Sequence, residues 1–243
     1  MTIFDDLAAE QDRLEDILGG LDEARWTSHS GAAGWTVADV VLHLAQSEEG
    51  VLASVTGAGR ELRPAGDLSV DEAMDQRVRQ ERTSPAEVLR RWRQARVAAV
   101  AALRSADPGR ALAWVETPMK PATLATTRLA EHWAHGLDIT GPLGVGFPDT
   151  DRLRHIAWLA HRTLPYALAV TGEPAHPVSC ELTAPDGTSV WRYGPADAES
   201  SIAGAAGAFC RVAARRLDPA ESGLRTAGPY GAAALGVLRT YAA

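Results

Sequence analysis

The stretch from Arg128 to Asp138 places five ionisable side chains within eleven residues. On a helix, at about 100° per residue, these side chains fall on one face and the apolar residues fall on the opposite face. Such a face is usually solvated, but this one is rich in histidine, contains no lysine and is bordered by apolar residues at both ends. The stretch therefore predicts a helix whose polar face is either exposed to solvent or enclosed by other helices around a functional site.

Glu131 and His135 in this stretch are four residues apart, so they lie one turn apart on the same helix face. A carboxylate and an imidazole in this arrangement can bind one divalent metal if a third ligand comes from elsewhere. His43 is the candidate, at the border of the apolar stripe of an earlier helix, although a lone histidine there is usually a residue at the edge of the core. His132 and His135, three residues apart, form a competing pair that spacing alone does not exclude.

Two imidazoles and one carboxylate suit Zn²⁺ best and are also compatible with Ni²⁺, Fe²⁺ or Mn²⁺. Three protein ligands leave a position open to water or substrate, as a catalytic site requires. Arg128, one turn before the ligands, could bind a substrate carboxylate or form an ion pair with Glu131 or Asp138. Asp138, three residues after His135, could orient the imidazole ring or face solvent.

Composition excludes several classes of protein. The 243 residues are 46% hydrophobic and 23% charged, which is ordinary for a soluble globular protein. A net charge of −7 without a basic run argues against nucleic acid as a general partner. No apolar run approaches the roughly 20 residues that span a bilayer, and the acidic N-terminus does not resemble a signal peptide. With two cysteines, Cys180 and Cys210, the chain is expected to be a reduced cytoplasmic protein without a membrane partner.

Helix signals dominate the first two thirds of the chain. Thr36 and Asp39 form a capping box that opens one helix, and Ser84-Pro85 opens another. The apolar periods predict helices over about 2–18, 36–52, 69–82, 85–104, 123–141 and 151–164, with a loop at 57–70. The sequence thus predicts an antiparallel four-helix bundle as the main architecture.

Alternation typical of strands appears after Pro165, at 178–183 and 189–193, with the hairpin signal Pro185-Asp-Gly-Thr between them. Helices are expected at about 198–215 and 230–241. The predicted domains are therefore residues 1–168, a helical bundle, and residues 169–243, a small α+β domain, in a protein of mainly α class.

Two motifs resemble a known family when they are taken together. Gly34-Trp-Thr-Val-Ala-Asp-Val-Val-Leu-His43 is similar to the first metal-binding helix of the DinB-like superfamily. Arg128 to Asp138 resembles the second motif of its mycothiol-dependent maleylpyruvate isomerase branch. Residues 114–119, 191–194 and 202–210 are similar to an actinobacterial subgroup with a C-terminal domain named after wyosine base formation.

The resemblance implies a metal site formed by His43, Glu131 and His135 in the interior of a four-helix bundle. Enzymes of the family use the metal to activate a low-molecular-weight thiol, often mycothiol, for isomerisation or S-transfer. The family's isomerase also uses a C-terminal arginine, for which Arg215 and Arg216 are equal candidates. Trp114 and Met119 could wall the pocket or serve only as core residues.

The sequence-based hypothesis is a metal-dependent enzyme that acts on a small molecule, with a thiol as co-substrate for transfer or isomerisation at an electrophilic carbon. A thiol near pKa 8.5 is mostly protonated at neutral pH, and the thiolate is the attacking species. One alternative is a hydrolase, lyase or cyclase in which the metal acts as a Lewis acid or activates water without a thiol. A second alternative is a metal-binding protein without catalytic activity. The sequence leaves a homodimer open.

Overall fold

The computed structural model describes residues 2–57, 68–115 and 117–240, and these residues form a mainly helical protein with a small four-stranded sheet near the C-terminus. The predicted loop at 57–70 falls largely outside the described residues. The helices before the sheet are α1 (Ile3–Leu18), α2 (Glu23–Thr27), α3 (Val37–Thr56), α4 (Val70–Gln80), α5 (Pro85–Ser105), α6 (Pro121–Leu143) and α7 (Leu153–Val170). The later elements are β1 (Val178–Thr183), β2 (Val190–Tyr193), β3 (Ser200–Ala205), α8 (Ala206–Ala213), β4 (Arg225–Ala227) and α9 (Gly231–Val237), with a short 3-10 helix at Pro219–Glu221.

Side-chain caps begin α3 and α5 where the sequence predicts. The Thr36 hydroxyl accepts the backbone N–H of Asp39, and the Asp39 carboxylate accepts the backbone N–H of Thr36. The Ser84 hydroxyl caps α5 ahead of Pro85. These local bonds satisfy amide groups that have no partner within the helix, so they fix where each helix starts.

Four long helices pack on one another through apolar side chains: α3 lies against α5, α1 lies against α6 and α5, and α6 also contacts α3 and α5. The largest side chains in this core, Trp92 of α5 and Trp133 of α6, are almost completely inaccessible to solvent. Trp92 packs in one apolar cluster with Leu14 of α1 and Val41 of α3. The two helices that carry the predicted metal ligands, α3 and α6, are thereby held in contact.

The sheet has the strand order β2-β1-β3-β4, in which β1 is antiparallel to β2 and parallel to β3, and β3 is antiparallel to β4. The hairpin expected between β1 and β2 is confirmed, with the Asp186 carboxylate accepting the backbone N–H groups of Thr188 and Ser189. The helix expected over 198–215 is wrong in its first part, because Ser200–Ala205 forms β3 and only Ala206–Ala213 is helical. The hydrogen bonds that β3 forms with β1 outweigh the helix propensity of the alanines in β3.

The chain divides into two compact units, with the division between Phe147 and Pro148. Helix α7 contacts α8, α9 and β2 and belongs to the second unit, while the domain division at 168/169 stays a prediction. Within the described residues, no helix combines the length and the apolar character needed to cross a membrane.

Candidate metal centre

The predicted ligands come from two neighbouring helices. His43 lies in the second turn of α3, after the cap at Thr36, and Glu131 and His135 lie one turn apart in α6. Because α3 packs against α6, the imidazole of His43 meets the pair from α6. The centroids of the two imidazole rings are 5.0 Å apart, in an edge-to-face arrangement.

The donor atoms of these three side chains converge. His135 Nε2 is 3.4 Å and His43 Nε2 is 3.7 Å from Glu131 Oε2, and one ligand atom from each residue lies within 4.8 Å of the others. These separations exceed the roughly 2.7–3.2 Å of a good N–H···O bond. Ligand atoms around a tetrahedral Zn²⁺ with bonds of about 2.0–2.2 Å lie about 3.3–3.6 Å apart. The three residues therefore fit a shared divalent cation after shifts of a few tenths of an ångström to about 1 Å.

Asp138 fixes the orientation of His135. Its Oδ2 lies 2.9 Å from His135 Nδ1, and an ionised carboxylate can only accept, so Nδ1 carries the proton. When the ring is neutral, its lone pair is on the other nitrogen, Nε2, which lies on the side of Glu131. Burial lowers the pKa of His135, but the Asp138 and Glu131 carboxylates raise it by more, so that the net pKa lies above its ordinary value.

His43 is held differently. Its side chain is 12% exposed, and its Nδ1 is buried with no hydrogen-bond partner in the described part of the chain. Burial lowers the pKa of His43 below its ordinary value, although Glu131 opposes this shift. At neutral pH the ring is therefore uncharged, which is the form that binds a metal.

Glu131 is the most accessible of the three, with 30% of its side chain exposed. Burial raises the pKa of its carboxyl, but His135, His43 and the charge of Arg128 outweigh that effect and lower the pKa well below its ordinary value. An ionised carboxylate beside two imidazoles is the charge state that a divalent cation requires.

Comparison with known proteins identifies the family of this chain. The family model described as the mycothiol maleylpyruvate isomerase N-terminal domain matches residues 7–140, which include all three candidate ligands. The chain belongs to this family. An uncharacterized protein of Mycobacterium tuberculosis, present in two strains, is 39% identical over 221 residues, which are 87% of this chain and 84% of the relative.

The fold is also that of a solved family member. Crystal structures of the mycothiol-dependent maleylpyruvate isomerase, and of a mutant with one histidine replaced by alanine, superpose with TM-scores of 0.63 and 0.64. Each alignment covers 92% of this chain and 91% of the other, at 16% identity. The predicted membership of the maleylpyruvate isomerase branch is thus confirmed.

In the protein described here, the side chain of His132 points into the helical core and is not one of the three candidate ligands. Its Nδ1 lies 2.8 Å from the Arg128 carbonyl oxygen, and its Nε2 receives the indole N–H of Trp92 at 3.2 Å. Burial lowers the pKa of His132 to about 3, so the ring is neutral. With both ring nitrogens engaged, His132 acts as a hydrogen-bonding core residue.

Arg128 forms an ion pair, but neither of the partners considered from the sequence is the one bound. Its Nε donates to Glu48 Oε1 on α3 at 3.0 Å, and both side chains are buried. Arg128 Nη2 and Glu48 Oε2 are buried without a hydrogen-bond partner among the described residues. Burial raises the pKa of Glu48, while Arg128 opposes that shift. The spacing within residues 128–138 could not identify a partner 80 positions away.

The other predicted site residues remain predictions. Trp114 and Met119 are half-buried, and Met119 pairs with Leu112 through two backbone hydrogen bonds. Arg215 and Arg216 are exposed at the end of α8, in the C-terminal unit. Arg215 adopts the left-handed conformation (φ 61°) that terminates that helix.

Sequence reasoning missed Trp35, which lies beside the site. Its indole centroid is 5.2 Å from that of His43 and 6.4 Å from that of His135, and its Nε1 donates to Asp75 Oδ1 of α4 at 2.8 Å. Its position in the sequence could have indicated this, because Trp35 immediately precedes Thr36, the cap of the helix that carries His43.

Proposed function

We propose that this protein is a divalent-metal-dependent enzyme that uses a low-molecular-weight thiol, with mycothiol the first candidate, for isomerisation or S-transfer at an electrophilic carbon of a small molecule. The observation that carries the proposal is the convergence of His43, Glu131 and His135 on one point between α3 and α6. Membership of the mycothiol maleylpyruvate isomerase N-terminal domain family supports the thiol.

The scaffold of the proposed site is an antiparallel bundle formed by α1, α3, α5 and α6. The contacts of α3 with α5 and of α1 with α6 support it. A bundle places side chains from different helices in one interior site, which is how inward-facing ligands meet.

Zn²⁺ is the proposed metal, since two imidazoles and a carboxylate are ligands that Zn²⁺ accepts and leave one tetrahedral position open. When bound, such a cation supplies the positive charge that favours a thiolate over a thiol. The partial exposure of Glu131 supports access from solvent to this side of the site.

The surrounding residues have separate proposed tasks. Asp138 keeps His135 in the tautomer whose Nε2 faces the site. Arg128 is proposed to provide positive charge for a substrate carboxylate, through the Nη2 that has no hydrogen-bond partner among the described residues. Trp114 and Met119 are proposed as pocket walls, and Arg215 or Arg216 as the C-terminal arginine of the reaction.

Metal analysis tests the ligand set first. The wild-type protein is expected to bind one equivalent of Zn²⁺ in competition with a fluorescent chelator, and His43→Ala and Glu131→Gln are each expected to lose most of this affinity. Glu181→Gln, at an exposed ion pair with Arg192 on the sheet, is the control and should bind as the wild type does. Full affinity in Glu131→Gln would show that the assignment is wrong.

Thermal unfolding with mycothiol then tests whether the zinc-loaded protein binds a thiol. The zinc-loaded wild type should gain several degrees in melting temperature with saturating mycothiol, because a ligand that binds only the folded state stabilises it by mass action. Glu131→Gln should gain nothing. A zinc-loaded wild type that no thiol stabilises would contradict the thiol-dependent reaction while leaving the metal site intact, and would favour the Lewis-acid or water-activating alternative.

A further inference from the structure

The two histidines of the metal centre differ in how their rings are fixed. His135 has the Asp138 carboxylate on Nδ1, which is the usual arrangement for a metal-binding histidine. His43 has no hydrogen-bond partner on Nδ1 in the parts of the chain that the structure describes, and its Nε2 is 3.7 Å from Glu131. Among the described residues, packing against neighbouring side chains is therefore what can orient His43.

The indole of Trp35 is the group in position to do this. It lies tilted against the ring of His43 and roughly parallel to that of His135, so it contacts the site from one side. A half-buried indole offers a large rigid surface, and ring pairs with centroids 4.5–7 Å apart attract each other beyond the effect of their burial.

Trp35 is itself fixed from several directions. Its indole N–H donates to Asp75 of α4, and Asp75 also accepts from Arg79 Nε at 2.7 Å. Its carbonyl oxygen accepts from both the backbone N–H and the hydroxyl of Ser30, at 3.0 and 2.9 Å. The ring consequently has little freedom to move away from the histidines.

The loop of residues 30–35, which contains Trp35, also contacts α6. The backbone N–H of Gly31 donates to the Asp138 carbonyl at 2.7 Å, and a Cβ on Gly31 would lie 3.1 Å from the Asp138 Cα. Residues 30–35 thus touch the partner of His135 at one end and the ring of His43 at the other. The loop spans the two helices that supply the ligands.

We infer that Trp35 is a positioning residue for the metal centre: anchored by Asp75, its indole orients His43, as the Asp138 carboxylate orients His135. This inference rests on the proposed function, because it assumes that the three side chains bind a metal. It assigns α4, a charged helix outside the ligand set, a part in shaping the site.

Metal affinity and the spectrum of a cobalt-substituted site test the inference. Trp35→Leu should lower Zn²⁺ affinity by about 10–100-fold, the usual cost of removing a group that orients a ligand, and should alter the visible Co²⁺ absorption bands. Trp35→Phe, which keeps a ring but not the hydrogen bond, and Asp75→Ala should show smaller losses in the same direction. Trp158→Leu, a partly exposed tryptophan on α7, is the control and should change neither.

The outcomes separate the two proposals. If the wild type binds no divalent metal, the proposed function fails and this inference fails with it. If the wild type binds Zn²⁺ but Trp35→Leu has the same affinity and the same Co²⁺ spectrum, only the inference is overturned. A Trp35 that merely stabilises the fold would lower the melting temperature without changing either readout. If Trp35→Leu does not fold, an unchanged affinity in both Trp35→Phe and Asp75→Ala overturns the inference.

Discussion

Asp138 offers a prediction at the scale of one residue. Replacing it with alanine removes the acceptor from His135 Nδ1, so the imidazole can rotate and adopt the other tautomer. We expect Asp138→Ala to lower Zn²⁺ affinity by about 10–100-fold, and Asp138→Asn to cost less because the amide oxygen can still accept. Competition with a chelator measures the affinity.

Asp16→Ala, at an exposed position of α1, is the control for that measurement and should have no effect. Unfolding of each variant is followed in parallel, because Asp138 is buried and its loss also affects stability. An Asp138→Ala protein that is folded and binds Zn²⁺ like the wild type would show that His135 needs no carboxylate to hold its ring.

The choice between His132 and His135 shows what spacing cannot decide. Both belong to the same polar sector of one helix, so either could pair with another ligand on that face. Their roles differ because residues of other helices contact them differently. Trp92 of α5 donates a hydrogen bond to His132, whereas the ring of His43 on α3 packs against that of His135. Those contacts depend on how the helices pack, which a single helix pattern does not contain. The same reason explains why Glu48 was not foreseen as the partner of Arg128.

At the scale of an element, α6 passes close to Phe147. A Cβ on Gly136 would lie 2.5 Å from Phe147 Cζ, so Gly136→Ala forces the ring or the helix to move. Overpacking costs about 1–3 kcal/mol, whereas alanine gains only about 1 kcal/mol in helix propensity. We expect a net destabilisation of up to about 2 kcal/mol in urea unfolding followed by circular dichroism.

A glycine without such a neighbour serves as the matched control. Gly236 is exposed in α9, and an added Cβ there meets nothing within 4 Å, so Gly236→Ala should be neutral or slightly stabilising. Equal effects at the two positions would mean that Phe147 does not constrain α6, and that the close approach has no energetic consequence.

The start of α3 predicts a dependence of stability on pH. Burial raises the pKa of Asp39, but hydrogen bonds from Arg82 and Thr36 outweigh it, so that the folded-state pKa lies below the ordinary value of about 3.9. A carboxylate with a depressed folded pKa stabilises the protein above that ordinary value and loses this effect as the pH falls through the folded pKa. Stability should therefore fall below about pH 4.

Asp39→Ala isolates this contribution. The variant should lose roughly 0.5–2 kcal/mol at neutral pH, the range for a helix cap, and its stability should decline less steeply between about pH 5 and pH 3. Asp71→Ala, an exposed first-turn acid of α4, is the control. Parallel pH profiles for wild type and Asp39→Ala would show that another group produces the acid sensitivity.

Helix starts were predictable because their signals are local, and β3 was not because its cause is not local. Thr36 and Asp39 are three residues apart and form their bonds within one turn. Ser200–Ala205 contains small residues that suit a helix equally well, and it becomes a strand by pairing with β1 on one side and β4 on the other. β4 is three residues long and entirely exposed, and its sequence carries no alternation that predicts a strand.

At the scale of the molecule, the three candidate ligands, Trp35 and Asp75 all belong to the unit that ends at Phe147, whereas Arg215 and Arg216 belong to the other. This division predicts that metal binding and thiol chemistry can be separated. A fragment of residues 1–147 should fold into helices and bind Zn²⁺ within about tenfold of the full chain, since the positioning groups whose loss costs 10–100-fold are all retained. It should show no thiol-dependent activity, because the proposed arginine is missing.

Circular dichroism, chelator competition and a thiol-consumption assay measure the three properties, with Glu131→Gln in the fragment as the control without metal. A folded fragment that has lost its Zn²⁺ affinity would mean that the C-terminal unit is needed to form the metal centre.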